Sequence, residues 1–125
     1  MQITTFNEYQ TEAVSLRISL NKIIEKYPDL PEEILKLIGI SYDGLGLGEA
    51  GEAQGKIKKI IRDNGGTITD EAREAIKAEL GDILWYIASL SQNLGISLEE
   101  VATYNIEKLI DRTNRGVRHG SGDYR

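Results

Sequence analysis

Apolar residues recur every three to four positions along almost the whole chain, and no segment alternates apolar and polar residues as a strand does. This spacing places the apolar side chains on one face of each helix, and that face must pack against other helices. The pattern therefore predicts an all-α domain of the four-helix bundle type.

The N-terminal third is predicted to contain one long helix and one short one. The long helix spans Ile3 to Lys26 and the short one spans Glu32 to Ile38, with Pro28 and Pro31 between them. Several glycines between Gly39 and Gly48 predict a break or hinge after the short helix.

Three further helices are predicted from the residues that begin and end helices. They run from Leu45 or Leu47 to Arg62, from Thr69 or Asp70 to Leu94, and from Ser97 to Thr113 or Arg115. Capping boxes are predicted at Thr5 with Glu8 and at Ser97 with Glu100. Residues 1–115 are thus expected to form one domain, and the polar, glycine-rich residues 116–125 to form a tail.

Charge and composition exclude several classes of protein. Fifteen Lys and Arg against twenty Asp and Glu give a net charge of −5, which argues against a nucleic-acid partner held by phosphate contacts. The chain has no cysteine, which excludes disulfides, thiolate metal sites and thiol nucleophiles. No apolar run approaches the roughly 18 residues of a membrane span, and the N-terminal segment is polar. A cytoplasmic protein without a membrane partner is predicted.

Two pairs of acidic residues stand in otherwise apolar or glycine-rich surroundings. Glu49 and Glu52 lie in the second long helix, and Glu79 and Asp82 lie in the third. The i, i+3 spacing puts the two carboxylates of each pair side by side on one helix face, where they repel. Neither Glu79 nor Asp82 has a basic residue three or four positions away in its own helix, so another cation must offset their charge.

The short loop between these two helices favours antiparallel packing, in which the two acidic pairs can face each other. Carboxylates without a histidine or cysteine cluster favour Mg²⁺, or Mn²⁺, over Zn²⁺. The alternative is that the acids form interhelical salt bridges with Lys56, Lys59 or Arg62, in a non-catalytic helical interaction module. A di-iron bundle would need Glu-x-x-His motifs, which the sequence lacks.

These motifs resemble those of a known family. Gly46-Leu47-Gly48-Glu49-Ala50-Gly51-Glu52, followed after 26 residues by Glu79-Leu80-Gly81-Asp82, is similar to the E-x-x-E and E-x-x-D signature of the MazG-like all-α nucleoside triphosphate pyrophosphohydrolases. The resemblance extends over roughly residues 46–112. This chain has Gly48 where many members have a further Glu.

The resemblance implies Mg²⁺-dependent hydrolysis of a nucleoside triphosphate to the monophosphate and pyrophosphate, with the metal on the four acids. It also implies that Tyr86 touches the nucleotide sugar and that Asn105 and Lys108 contact the nucleotide and its phosphates. Arg112 continues the same helix stripe, and Lys56 is suited either to phosphate binding or to ordinary ion pairing. A nucleotide-binding module without catalysis is the alternative.

Without cysteine or a catalytic triad, the nucleophile is expected to be water. Glu49 or Glu52 would orient or deprotonate that water. The third long helix is apolar on two faces, which predicts a homodimer or homotetramer with the pocket near an interface.

Overall fold

The computed structural model describes residues 1–123, apart from the side chain of Ser19, and the described part is all-helical, as predicted. Its six helices are α1 (Phe6–Ser15), α2 (Ser19–Lys26), α3 (Glu32–Gly46), α4 (Glu49–Asn64), α5 (Asp70–Asn93) and α6 (Leu98–Asn114). The four long helices are α3 to α6, with 15, 16, 24 and 17 residues.

Helix α5 lies at the centre of the domain and packs against α1, α3, α4 and α6. The buried core is small: Ala13, Ala88 and Leu98 are at most 3 % exposed, and Tyr9 and Trp85 pack on them. The other three long helices therefore pack on α5. Helix α5 carries one acidic pair, and α4 beside it carries the other.

The buried side chain of Gln10 ties α1 to the turn between α5 and α6. Its amide nitrogen donates to the carbonyls of Ala88 and Ile96, and its amide oxygen accepts from the Leu98 N–H at 2.9 Å. These bonds satisfy a polar side chain that would otherwise be costly to bury.

The prediction of one helix from Ile3 to Lys26 is wrong, because the chain turns a corner at residues 16–18 between α1 and α2. In a continuous helix the Ala13 carbonyl would accept from the Arg17 N–H. Here it accepts from the Trp85 indole at 3.1 Å and from the Leu16 N–H instead. The Arg17 guanidinium donates to the hydroxyl and carbonyl of Ser89 on α5. Tertiary hydrogen bonds therefore end α1.

The helix predicted over Glu32 to Ile38 is too short, since α3 continues to Gly46. The break predicted between Gly39 and Gly48 falls at residues 47–48, so α4 begins at Glu49 rather than at Leu45 or Leu47. Gly39 serves close packing rather than flexibility. A Cβ on this residue would lie 2.9 Å from the Asn93 side-chain nitrogen, so a glycine lets α3 approach α5.

The predicted helix signals near α4, α5 and α6 are confirmed. Gly65 ends α4 in the left-handed region, at a φ of 57°, where glycine is favoured. Thr69 caps α5, and the capping boxes of Thr5 and Ser97 are both formed. Within residues 1–123, no helix combines the length and apolar character that crossing a membrane requires.

The described part of the predicted tail turns back on α6. Arg112 Nη2 donates to the Asp123 carbonyl at 2.7 Å, and Lys108 Nζ lies 3.2 Å from Asp123 Oδ1. Tyr124 and Arg125, which end the predicted tail, lie outside the described residues.

Candidate active site

Three of the four predicted metal ligands meet between α4 and α5. Glu49, Glu79 and Asp82 each contribute one carboxylate oxygen to a group whose members all lie within 4.8 Å of one another. We call these three residues the acid cluster. Glu49 opens α4, whereas Glu79 and Asp82 lie in the middle of α5.

The contacts between α4 and α5 show that the two helices are antiparallel. Glu49 lies near Asp82, and Lys56, further along α4, lies near Glu79, which is earlier on α5. The short connection at residues 65–69 makes this arrangement the natural one. The i, i+3 spacing then turns both Glu79 and Asp82 toward Glu49 of α4.

Glu52, the fourth predicted ligand, stands apart from the acid cluster. It lies one turn after Glu49 on α4, its side chain is exposed, and its oxygens are not among those that come within 4.8 Å of the others.

Lys56 is the basic residue that approaches the acid cluster. Its Nζ lies 3.6 Å from Glu79 Oε1, and the lysine side chain is 38 % exposed. This is the kind of interhelical salt bridge that the alternative interpretation predicts. Because one ammonium faces three carboxylates, it offsets only part of their charge.

Tyr86 lies one turn after Asp82 and packs between two aromatic rings. Its ring is at right angles to Trp85, with centroids 5.0 Å apart, and lies 6.1 Å from Tyr42 of α3. A hydrogen bond to Tyr42, burial and the charge of Glu49 raise the pKa of Tyr86. The contribution of Glu49 to this shift indicates that the phenol lies near that carboxylate.

Gly46 fits against Tyr86 because it has no side chain. A Cβ at this position would fall well below 3.0 Å from three ring atoms of Tyr86. Sequence reasoning interpreted this glycine as part of a hinge and missed its role in positioning the tyrosine. A Cβ on Gly44, another glycine of α3, would have no atom within 4 Å.

Tyr9 is a second residue near the site that sequence reasoning did not select. Burial and the negative charge of Asp82 raise the pKa of this tyrosine, so α1 also borders the acid cluster. Its position in the apolar stripe of α1 carries no signal that separates it from an ordinary core aromatic.

The predicted substrate-binding residues Asn105, Lys108 and Arg112 lie on α6, which packs on α1 and α5. Asn105 is exposed. Arg112 is only 5 % exposed, and Lys108 and Arg112 both bond Asp123 of the tail. These two cations lower the pKa of the Asp123 carboxyl. Within residues 1–123, Asn105, Lys108 and Arg112 make no bond to the acid cluster.

The donors of the acid cluster fit a hard divalent cation. Carboxylate oxygens from two helices converge, and histidine, the usual ligand of zinc and iron, is absent from the group. An arrangement of this kind can hold a magnesium ion that keeps several waters and exchanges some of them for phosphate oxygens.

Comparisons with known proteins agree with this geometry. A family model described as the MazG nucleotide pyrophosphohydrolase domain matches residues 45–117, more than half of the chain. The gene 37 protein of Mycobacterium phage L5 is 51% identical over 88 residues, which cover 70% of this chain and 77% of that protein. No solved structure matches the chain significantly. The family match confirms the resemblance and includes all four acidic residues and Tyr86.

Proposed function

The chain belongs to the MazG nucleotide pyrophosphohydrolase family, and we propose on that premise that it hydrolyses a nucleoside triphosphate to the monophosphate and pyrophosphate. The observation that carries the proposal is the convergence of Glu49, Glu79 and Asp82 within 4.8 Å between two antiparallel helices. Like charges this close repel one another, and a bound cation would offset that repulsion.

Mg²⁺ is the proposed metal, and Mn²⁺ has the same preference for oxygen ligands. Glu49, Glu79 and Asp82 would hold it. When bound, it would polarise the phosphate oxygens and offset the negative charge that develops as pyrophosphate leaves.

Glu52 is the proposed base. It follows Glu49 by one turn on the same helix face, and it stands outside the acid cluster. A carboxylate that is not a ligand is free to accept a proton from the attacking water, so we assign this role to Glu52 rather than to Glu49.

Lys56 is the proposed phosphate ligand nearest to the metal. In the free protein it pairs with Glu79 at 3.6 Å, and a bound metal ion would compete for the same carboxylate. The freed ammonium could then bind a phosphate oxygen of the substrate. Tyr86 is the proposed sugar contact, while Asn105, Lys108 and Arg112 stay predicted nucleotide contacts.

A homodimer or homotetramer is part of the proposal. A folded monomer of 13.9 kDa exposes roughly 6,700 Å², whereas this chain exposes 9219 Å². Large apolar side chains contribute to the excess, among them Leu45 at 82%, Ile61 at 68% and Leu80 at 57% exposure. Light scattering should give the mass of two or four chains, and the mass of one chain would contradict this proposal. A cytoplasmic location stays a prediction.

The direct test is release of pyrophosphate and monophosphate from a panel of canonical, deoxy and modified nucleoside triphosphates, with Mg²⁺ and with EDTA. Glu79→Gln and Asp82→Asn should abolish the Mg²⁺-dependent release. Glu74→Gln is the matched control, because this residue lies on the same helix in a surface ion pair with Lys77. Retained activity in either cluster variant would refute the proposed site.

The Lys56–Glu79 ion pair favours a second candidate, a non-catalytic helical interaction module. Thermal unfolding separates the two functions. If the cluster binds Mg²⁺, the ion should raise the Tm of the wild-type protein but not that of Asp82→Asn. If Mg²⁺ leaves the Tm unchanged and no triphosphate is cleaved, the acidic residues have a structural role and the protein is a non-catalytic interaction module.

A further inference from the structure

The tail that follows α6 returns to the helix and covers two of its cations. Arg112 Nη2 donates to the Asp123 carbonyl at 2.7 Å and lies 3.3 Å from Asp123 Oδ1. Lys108 Nζ lies 3.2 Å from the same carboxylate oxygen. The side chain of Arg112 is only 6% exposed, whereas that of Asp123 is 73% exposed. A solvent-exposed carboxylate therefore serves as the partner of a buried guanidinium.

The tail uses only part of the hydrogen-bonding capacity of Arg112. Nη2 also donates to the Gly122 carbonyl at 3.3 Å, so the contacts from the tail all fall on one nitrogen. Nε is buried and has no hydrogen-bond partner within residues 1–123. Nε and Nη2 share one edge of the planar guanidinium, and such an edge can bond two oxygens of a phosphate. A buried charged donor without an acceptor is costly, so the docked tail leaves Arg112 incompletely satisfied.

Lys108 places a second positive charge beside the guanidinium. It precedes Arg112 by four residues, a spacing that puts the two side chains next to each other on one helix face. Two cations so close repel each other, and an anion between them offsets that repulsion. A phosphate group carries more acceptor oxygens than a carboxylate and up to twice its charge, so this pair should bind a phosphate more strongly than a side-chain carboxylate.

The docked position of the tail depends on a glycine. Gly122 precedes Asp123 and has a φ of 84°, a conformation that residues with a side chain rarely adopt. A Cβ on Gly122 would have no atom within 4 Å. Alanine at this position would therefore weaken docking through the backbone alone, and it would leave Asp123 and both cations unchanged.

We propose that the tail is autoinhibitory: the Asp123 carboxylate occupies a phosphate site formed by Lys108 and Arg112, and a phosphate group of the ligand displaces it. The tail is an effective competitor because a short segment tethers Asp123 to α6, which gives the carboxylate a high local concentration. This inference rests on the proposed function for the identity of the ligand, a nucleoside triphosphate. The competition between tail and phosphate does not depend on hydrolysis.

Inorganic pyrophosphate in EDTA probes this site apart from catalysis. Without a metal ion the acid cluster repels pyrophosphate, so binding there does not obscure binding at α6. Calorimetry at constant ionic strength would measure the affinity. Asp123→Asn and Gly122→Ala should each bind pyrophosphate about three- to tenfold more tightly than the wild type, because the exposed ion pairs of the tail no longer compete. Lys108→Gln should bind it about tenfold more weakly.

Two comparisons separate competition by the tail from a simple change in charge. Glu107→Gln removes one negative charge at an exposed position of α6, and its affinity should stay within about twofold of the wild type. Gly122→Ala keeps the charge of Asp123, so tighter binding in this variant reports undocking. The heteronuclear NOE of the Asp123 amide follows the tail directly, and in the wild type it should fall as pyrophosphate saturates the protein.

Hydrolysis then links the tail to activity. The KM for the triphosphate should fall about three- to tenfold in Asp123→Asn and in Gly122→Ala but not in Glu107→Gln. A higher KM in the first two variants would overturn the inference, because the tail would then assist binding.

The remaining outcomes are also decisive. The inference would be overturned by a lack of pyrophosphate binding at millimolar concentration, by equal affinity in the wild type, Asp123→Asn and Gly122→Ala, or by a tail that stays ordered at saturation. Hydrolysis with the same KM in all three proteins would overturn it and leave the proposed function standing. Displacement of the tail without any hydrolysis would contradict only the proposed function.

Discussion

Replacing Gly46 by alanine tests how closely α3 approaches Tyr86. The new methyl group would fall well below 3.0 Å from three ring atoms, whereas ordinary Cβ contacts are longer. Moving the ring would disturb its right-angled packing on Trp85 and its contact with Tyr42 on another side. Overpacking of this kind costs about 1–3 kcal/mol.

Helix propensity offsets part of that cost. Alanine is better than glycine inside a helix by about 0.5–1 kcal/mol, and less at Gly46 because it is the last residue of α3. The net destabilisation of Gly46→Ala should therefore be about 1–2 kcal/mol. Gly44→Ala is the matched control on the same helix, where a Cβ meets nothing within 4 Å. It should stabilise the protein by about 0.5 kcal/mol or more.

Urea unfolding followed by circular dichroism measures both variants, at one protein concentration because oligomerisation couples to stability. In a Tyr86→Ser background the clash is removed, so Gly46→Ala should cost at least about 1 kcal/mol less than in the wild type. Equal stability of the two glycine variants, or an unchanged cost in the Tyr86→Ser background, would refute the close approach.

Three further predictions concern the corner, the tail and a helix cap. Arg17→Ala removes two hydrogen bonds to Ser89 and should lower the free energy of unfolding by about 2–3 kcal/mol, measured in urea; a loss under about 0.5 kcal/mol would show that the corner does not depend on them. The hydrogen bond from Lys108 is the largest cause of the lowered pKa of Asp123. The ion pairs of Asp123 with Lys108 and Arg112 should therefore be complete above pH 3.8, the ordinary pKa, and be lost as the pH falls through the lowered pKa. An NMR titration of the Asp123 carboxyl carbon with a midpoint at or above 3.8 would contradict that contact. Ser97→Ala removes the N-cap of α6 and should cost about 1 kcal/mol of stability, whereas Ser97→Asp should retain most of it.

Much of the helical architecture could be predicted because its signals are local. The capping boxes at Thr5 and Ser97, and the left-handed Gly65, are read from neighbouring residues in the sequence. The corner at residues 16–18 could not be predicted, because the groups that end α1 belong to Trp85 and Ser89, about 70 positions away. The helix propensity of residues 16–18 does not depend on such tertiary hydrogen bonds, so it could not predict them.

Glycine misled the sequence interpretation for a related reason. Gly39 and Gly46 were interpreted as flexible positions, but both lie within α3 and face side chains of α5. A glycine required for close approach and a glycine at a hinge look the same in one sequence. The distinction depends on the helix that packs opposite.

The acidic residues were the most predictable part of the site. The i, i+3 spacing and the short α4–α5 connection bring Glu49, Glu79 and Asp82 together as expected. Spacing alone did not separate Glu52 from the other three.

The acid cluster and the corner between α1 and α2 are built by contacts of very different range along the chain. The acid cluster belongs to the α4–α5 hairpin, joined by the short connection at residues 65–69, whereas the corner requires Arg17 to reach Ser89, 72 positions away. Closing long loops is entropically costly and slows folding. We therefore expect the hairpin that carries the carboxylates to form early during folding, before the N-terminal helices dock on α5. A chain that has reached only the first stage would already hold the proposed metal ligands together, without the α1 side chain of Tyr9 beside them.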